Sequence, residues 1–186
     1  MDRAVDGLFL LWLALELFTV RRRPRSRATV RDRGSRWAIT GAMLVAVGLA
    51  NLAVARAVQA GMPPWPPAVR AAGLVVMGAG IALRQWAIRV LGPWFTVRVT
   101  VQADQVLVTR GPYRVLRHPA YAGAWLAVIG AGVAIGRAGA AVILAVVPLL
   151  GWLYRIRVEE AALSAQFGQA YQEYARRTWR LIPWVY

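Results

Sequence analysis

Arg155 and Glu159 stand four residues apart, and Arg157 and Glu160 three apart, in a stretch that reads as helical. At those spacings each pair shares one helix face. Two readings are open. The pairs are surface salt bridges contributing about 0.3–0.5 kcal/mol each, or they are the charged part of a polar pocket. Earlier in the chain comes Arg117-His118-Pro119-Ala120-Tyr121, which holds the single histidine of the sequence. Pro119 suits the first turn of a helix, where its missing N–H costs nothing. That sets His118 at a helix N-terminus, whose partial positive charge favours an anionic group. With one His and no Cys, a zinc site, a thiolate nucleophile and a disulfide are all excluded. No metal is expected.

The elements that position these groups follow from composition. Of 186 residues, 59% are hydrophobic before 17 glycines are counted, and 17% are charged. Soluble domains carry roughly 45–50% apolar residues with Gly included, and about 25% charged. The apolar residues fall in long blocks, as membrane spans require. Five such spans are expected, over residues 5–20, 37–57, 69–91 and 119–135 and from residue 138 onward. The first lacks the basic start and small-residue cleavage site of a signal peptide, so it is expected to be retained. The chain divides into residues 1–91, three membrane helices joined by an Arg-rich loop at 21–36, and residues 92–186, the region that carries the chemistry.

Basic residues outnumber acidic ones 23 to 8, for a net charge of +15, and every one of them is Arg. They cluster in the 21–36 loop, in the 92–118 segment and after residue 175, while residues 61–69 contain none. Basic loops stay cytoplasmic, so the N-terminus is expected outside and the C-terminus inside, in a bacterial inner membrane. Five crossings put all three Arg-rich segments on one face. The charge therefore reads as a topology signal touching anionic membrane lipids, and no nucleic-acid partner is expected.

Two polar stretches are too elaborate for connections. In residues 96–102 polar and apolar side chains alternate, which predicts a short extended piece. A turn at Ala103-Asp104 leads to Val106-Leu107-Val108, and Gly111-Pro112-Tyr113 is a second turn. The last span, unbroken from residue 138 to 167, would be about 45 Å long at 1.5 Å per residue. That exceeds a hydrocarbon core of about 30 Å, so its final turns, with Arg155 to Glu160, project from the membrane. Gly168 ends that helix, and residues 170–180 predict a short amphipathic helix on the headgroups.

These motifs appear in a set order: Gly111-Pro112-Tyr113, Arg117-His118-Pro119-x-Tyr121-x-Gly123, Arg155-x-x-x-Glu159-Glu160, Phe167-Gly168-x-x-Tyr171-x-x-Tyr174 and Ile182-Pro183. Over residues 95–183 the chain resembles the isoprenylcysteine carboxyl methyltransferase family, which is related to the phospholipid N-methyltransferases. The resemblance implies an all-α integral membrane protein of about five transmembrane helices, with a cytoplasmic C-terminal catalytic region and no Rossmann domain. It implies S-adenosylmethionine as cofactor, contacted by Gln105, Val106, Leu107, Val108, Tyr113, His118, Pro119, Ala120, Tyr121 and Glu159. Arg155 matches the position that engages the acceptor carboxylate, and with Glu159 forms the implied catalytic pair. Arg98 stands near the place where eukaryotic members carry a cofactor-contacting Gln.

The acceptor implied is hydrophobic or lipidated, a small molecule or peptide entering from the bilayer. A carboxylate is already ionised at neutral pH and needs no general base, so catalysis would rest on alignment and exclusion of water. Arg155 could hold it bidentately. Methylation of an amine or phospholipid headgroup is the alternative, with Arg155 on a phosphate. An NADPH-dependent membrane reductase of the steroid 5α-reductase type is a second alternative, disfavoured by the Arg117-His118-Pro119 run.

Overall fold

The computed structural model describes residues 7, 10–12, 14–15, 28–30, 32–96, 100–102 and 104–186. Four long helices make its body: α1 (Ser35–Gln59), α2 (Pro67–Leu91), α3 (Pro119–Ile135) and α4 (Ala138–Phe167). A short helix, α5 (Gln169–Arg176), follows. Two three-residue strands, β1 (Ala28–Val30) and β2 (Thr100–Gln102), pair antiparallel, Ala28 opposite Gln102 and Val30 opposite Thr100. Among the described residues, α1, the stretch Pro67–Trp94 and α4 are long and apolar enough to cross a membrane, and α3 is a shorter apolar helix. The protein is a helical integral membrane protein. The span expected over residues 5–20 lies mostly outside the described residues; Gly7, Leu10, Leu11, Trp12, Ala14 and Leu15 are helical, and Trp12 packs on the cores at both α1–α4 and α2–α3.

Each helix boundary has a local cause. Pro67 and Pro119 occupy the first helical positions of α2 and α3, where a ring without an N–H is tolerated. Gly136 closes α3 in the left-handed region at φ 76° and, with Arg137, forms the whole link to α4. A Cβ there would also meet the Arg70 side chain, and Arg70 Nε donates to the Ala134 carbonyl at 3.1 Å. Trp65 N–H donates to the Gly136 carbonyl at 2.9 Å, and Arg137 donates to the Met62 carbonyl. These contacts tie the α1–α2 link to the α3–α4 turn at one end of the bundle. α5 ends four residues short of the expected 180, because the backbone beyond it pairs with residues 115–118 instead.

In lipid, apolar burial gives helices little reason to associate, so close packing of small residues must do it. Gly73 and Gly80 on α2, seven residues and two turns apart, face Gly130 and Gly123 on α3. The backbones touch. A Cβ on Gly130 would lie 2.3 Å from the Met77 nitrogen, and one on Gly80 would lie 2.4 Å from the Ala127 nitrogen. α1 meets α4 through Ala46, Ala50, Ala140, Leu144 and Trp152. Outward-facing Leu44, Val75, Val142 and Leu150 are exposed, as lipid contact requires.

Gly130→Ala should therefore force α2 and α3 apart and lower stability by about 1–3 kcal/mol, the usual cost of overpacking. Gly48→Ala, where a Cβ meets nothing within 4 Å, should leave the thermal midpoint in detergent unchanged.

Candidate functional site

Four helix ends converge: the start of α1, the end of α2, the start of α3 and the last turns of α4. A cavity there is walled by Trp94, Phe95 and Thr96 after α2, by Gln105 and Tyr113, by Arg117 to Tyr121 without Pro119, and by Arg155, Glu159, Ala162 and Leu163 of α4. Of the residues implied for the site, it gathers Gln105, Tyr113, His118, Ala120, Tyr121, Arg155 and Glu159. Val106, Leu107, Val108 and Pro119 do not line it. Val106 is 59% exposed, Pro119 is fully buried, and Val108 packs on Ala87, Tyr113 and Ala120. Arg98 lies outside the described residues.

His118 caps α3, as its place before Pro119 requires. It is 4% exposed, with its ring 5.7 Å from that of Tyr121 at an interplanar angle of 16°. Nδ1 lies 4.0 Å from Glu159 Oε2, and Nε2 lies 3.5 Å from Glu160 Oε1. Nε2 is a buried nitrogen without a hydrogen-bond partner among the described residues.

Arg155 and Glu159 meet through Tyr121. Arg155 Nε donates to the Tyr121 hydroxyl at 2.7 Å, and that hydroxyl donates to Glu159 Oε2 at 2.6 Å. Arg155 Nη1 also reaches Asp32 Oδ1 at 3.1 Å and Ser35 Oγ at 3.3 Å. The Arg155 side chain is 5% exposed, whereas that of Glu159 is 28% exposed and faces the cavity. Tyr113 also lines the cavity. Burial first, and then the Glu159 charge, push its ionisation upward, so it is a neutral hydroxyl at any physiological pH.

Glu160 turns the other way. Consecutive residues of a helix point about 100° apart, and Glu160 binds Arg117 Nε and Arg180 Nε, each at 2.9 Å. Arg117 Nη1 further donates to the Ala175 and Thr178 carbonyls. Arg117 N–H donates to the Trp179 carbonyl at 2.7 Å and His118 N–H to the Arg180 carbonyl at 3.1 Å. The tail is thereby strapped to the His118 turn. Arg157, the partner that spacing offered Glu160, is exposed.

A family model described as phospholipid methyltransferase matches residues 68–170. The chain belongs to that family. Protein-S-isoprenylcysteine O-methyltransferase B of Arabidopsis thaliana is 35% identical over 115 residues, 61% of this chain and 58% of that one. The protein-S-isoprenylcysteine O-methyltransferase of Tribolium castaneum is 33% identical over 118 residues, covering 61% and 41%. Among solved structures, that of a eukaryotic intramembrane Ras methyltransferase, isoprenylcysteine carboxyl methyltransferase, aligns with a TM-score of 0.61 and 28% identity. That alignment covers 78% of this chain and 52% of the other. The chain thus spans little more than half the length of the Arabidopsis relative and of this structure.

The spacing of charges did not reveal Asp32, Ser35 or the aromatic pair Trp94 and Phe95. The aromatic pair follows the Gly92-Pro93 break after α2, which marks where a helix yields to a loop.

Glu160→Ala leaves Arg117, whose side chain is 10% exposed, without its carboxylate. Loss of one partner of a buried pair costs about 3–5 kcal/mol. The variant should unfold at lower temperature, and trypsin should cut it faster at Arg176, Arg177 and Arg180 than the parent.

Proposed function

We propose that this protein is an integral membrane S-adenosylmethionine-dependent methyltransferase acting on the carboxylate of a hydrophobic or lipidated acceptor, with its site on the cytoplasmic face of a bacterial inner membrane. The observation that carries this reading is the Arg155–Tyr121–Glu159 chain of hydrogen bonds along one cavity wall. It sets a buried cation and an open carboxylate side by side, one for an anionic acceptor and one for a cationic cofactor. Membership of a methyltransferase family and the names of the relatives support it.

The cavity fits such a cofactor. Glu159 offers negative charge to a sulfonium or ammonium group, and charges interact more strongly where water is scarce. Trp94, Phe95 and Tyr113 offer aromatic faces to a base or a cation. The His118 ring, stacked beside Tyr121 with Nδ1 toward Glu159, adds a polar edge to the lining. When bound, S-adenosylmethionine would supply a methyl group on positively charged sulfur: a carboxylate oxygen would form the C–O bond as the C–S bond breaks, the electron pair staying on sulfur in neutral S-adenosylhomocysteine, with no proton transfer.

The chain's own groups then have positional tasks. Arg155 orients the acceptor carboxylate, and its engagement with Tyr121 keeps it from gripping the nucleophile too tightly. Glu159 fixes the cofactor's charge and, through the Tyr121 hydroxyl, its distance from Arg155. Tyr113 and the strapped tail exclude water. A second reading, transfer to a phospholipid amine, is favoured by the description of the matching family; Arg155 would then hold the lipid phosphate.

Isothermal titration of the detergent-solubilised protein should show binding of S-adenosylmethionine and none of NADPH. The opposite result would end the methyltransferase reading. Glu159→Ala should weaken cofactor binding roughly tenfold or more, the worth of one hydrogen bond to a charged group. Arg155→Ala should leave cofactor binding intact and impair transfer to N-acetyl-S-farnesylcysteine; if instead it impaired only transfer to phosphatidylethanolamine, the second reading would stand. A reporter fused to the C-terminus should be active only in its cytoplasmic form.

A further inference from the structure

Asp32 is the lone acid in the Arg-rich stretch 21–36, where a topology signal has no use for it. The structure gives it a position 123 residues from its partner in sequence: Asp32 Oδ1 lies 3.1 Å from Arg155 Nη1. Its own surroundings fix it there. The Asp32 carbonyl accepts from Ser35 N–H at 2.8 Å, Oδ1 accepts from Ser35 Oγ at 2.7 Å, and Oδ2 accepts from Arg36 N–H at 3.3 Å. Arg33 and Gly34 are both left-handed, at φ 43° and 76°, a reversal that turns the Asp32 side chain back over the first turn of α1. For Arg33, a residue with a Cβ, that conformation is unfavourable, so surrounding contacts must hold it. Tyr154 supplies one, its hydroxyl donating to the Arg33 carbonyl at 3.1 Å. Tyr154 and Arg155, consecutive on α4, thus both grip the turn of residues 32–35. Ser35 is fully buried and its hydroxyl lies 3.3 Å from Arg155 Nη1.

We propose that Asp32, with Ser35, is a positioning residue for acceptor recognition. This rests on the reading of Arg155 as the group that takes the acceptor's anion. An arginine side chain has many rotamers, and ordering it at the moment of binding weakens the complex. Here the ordering is done beforehand. Nε is fixed by Tyr121 from α3 and Nη1 by the turn before α1, so the planar guanidinium is held from two directions. Asp32 is a fixed post rather than a competing carboxylate, since both its oxygens accept bonds from its own turn whether or not Arg155 is present. The Arg-rich N-terminal segment, through its last turn, is then part of the acceptor site.

The test uses the full chain in detergent with S-adenosylhomocysteine present for equilibrium binding of N-acetyl-S-farnesylcysteine, and with S-adenosylmethionine for the KM and kcat of transfer to it. Asp32→Ala should weaken acceptor binding and raise its KM roughly ten- to a hundredfold, as a misplaced positioning group does. Cofactor affinity should change far less, because the hydrogen bonds of Asp32 go to Ser35, Arg36 and Arg155, and only through Arg155 and Tyr121 does the network reach Glu159. Asp32→Asn keeps an oxygen facing Ser35 and Arg155 and should restore most of the acceptor affinity. Equal acceptor affinity in Asp32→Ala and the parent would overturn the proposal, as would a parallel loss of cofactor binding. Should Asp32→Ala not fold, Ser35→Ala carries the same test: a severalfold loss confined to the acceptor supports it, and no loss overturns it. Failure of the parent itself to bind the acceptor would instead overturn the reading of Arg155, and this proposal with it.

Discussion

A buried guanidinium keeps its charge, and without partners that charge is costly, so the arrangement of Arg155 follows from the need to surround it. Removing an ion from water costs several kcal/mol even after the protein relaxes, and only well-placed opposite charges and hydrogen bonds offset it. The donors of a guanidinium lie in one plane at fixed angles. Partners must therefore arrive from set directions. Here they come from three elements: Tyr121 on α3, Asp32 and Ser35 at the head of α1, both remote in sequence, and Glu159, four residues further along α4 itself, through Tyr121. Moving any of the three away would strand a charge, so α1, α3 and α4 are locked in register at this end of the bundle.

Glu159 and Glu160 divide the remaining work by geometry alone. Adjacent on α4, they point about 100° apart. One faces the cavity, partly exposed, with Tyr121 as its neighbour; the other is enclosed by Arg117 and Arg180. The first can meet a mobile ligand because, among the described residues, no arginine is in direct contact with its carboxylate. The second is saturated, and its effect is mechanical: it pins the tail beneath the His118 turn, where Leu181 and Ile182 pack on Leu116 and Ile156. A tail held only by Leu181, Ile182 and their apolar neighbours would compete poorly with lipid, which solvates such side chains equally well. The ion pairs give the tail a reason to stay.

The sequence made legible what local chemistry dictates. α3 begins at Pro119 and ends before Gly136, and α4 runs from 138 to Gly168, because proline and glycine act on the backbone wherever the fold puts them. Spacing also drew attention to Arg155, Glu159 and Glu160. It misnamed their partners, because i,i+4 proximity competes with tertiary contacts that a pattern does not contain. A hydroxyl from another helix stands between Arg155 and Glu159, and Arg157 faces outward while Arg117 and Arg180 take Glu160. Asp32 was invisible for a stronger reason. Nothing distinguishes it from a stray acid among arginines until the left-handed pair Arg33 and Gly34 reverses the chain and β1 pairs with β2 alongside. The run of Val106, Leu107 and Val108 fits a cavity wall and a packed strand equally well by composition, and the structure gives Val108 to the packing.

The glycine seam between α2 and α3 bears on the chemistry as well as on the fold. It ends at Gly123, where an added Cβ would meet the Arg84 nitrogen at 2.6 Å. From that close approach the Arg84 side chain reaches the Ala120 carbonyl at 3.0 Å. Ala120 lies between His118 and Tyr121, so the position of the His118 turn is referenced to α2 through backbone contacts that have almost no slack. Helices usually pack with axes about 8–10 Å apart, with side chains between them that can repack. Backbones in direct contact cannot repack, and a displacement at the seam would pass to Tyr121 undamped. The hydrogen bonds that Tyr121 makes to Arg155 and Glu159 are short and directional, and such bonds weaken steeply as geometry degrades. The small residues in the membrane and the charged ones at its edge are thus one device: the first fixes a distance that the second requires.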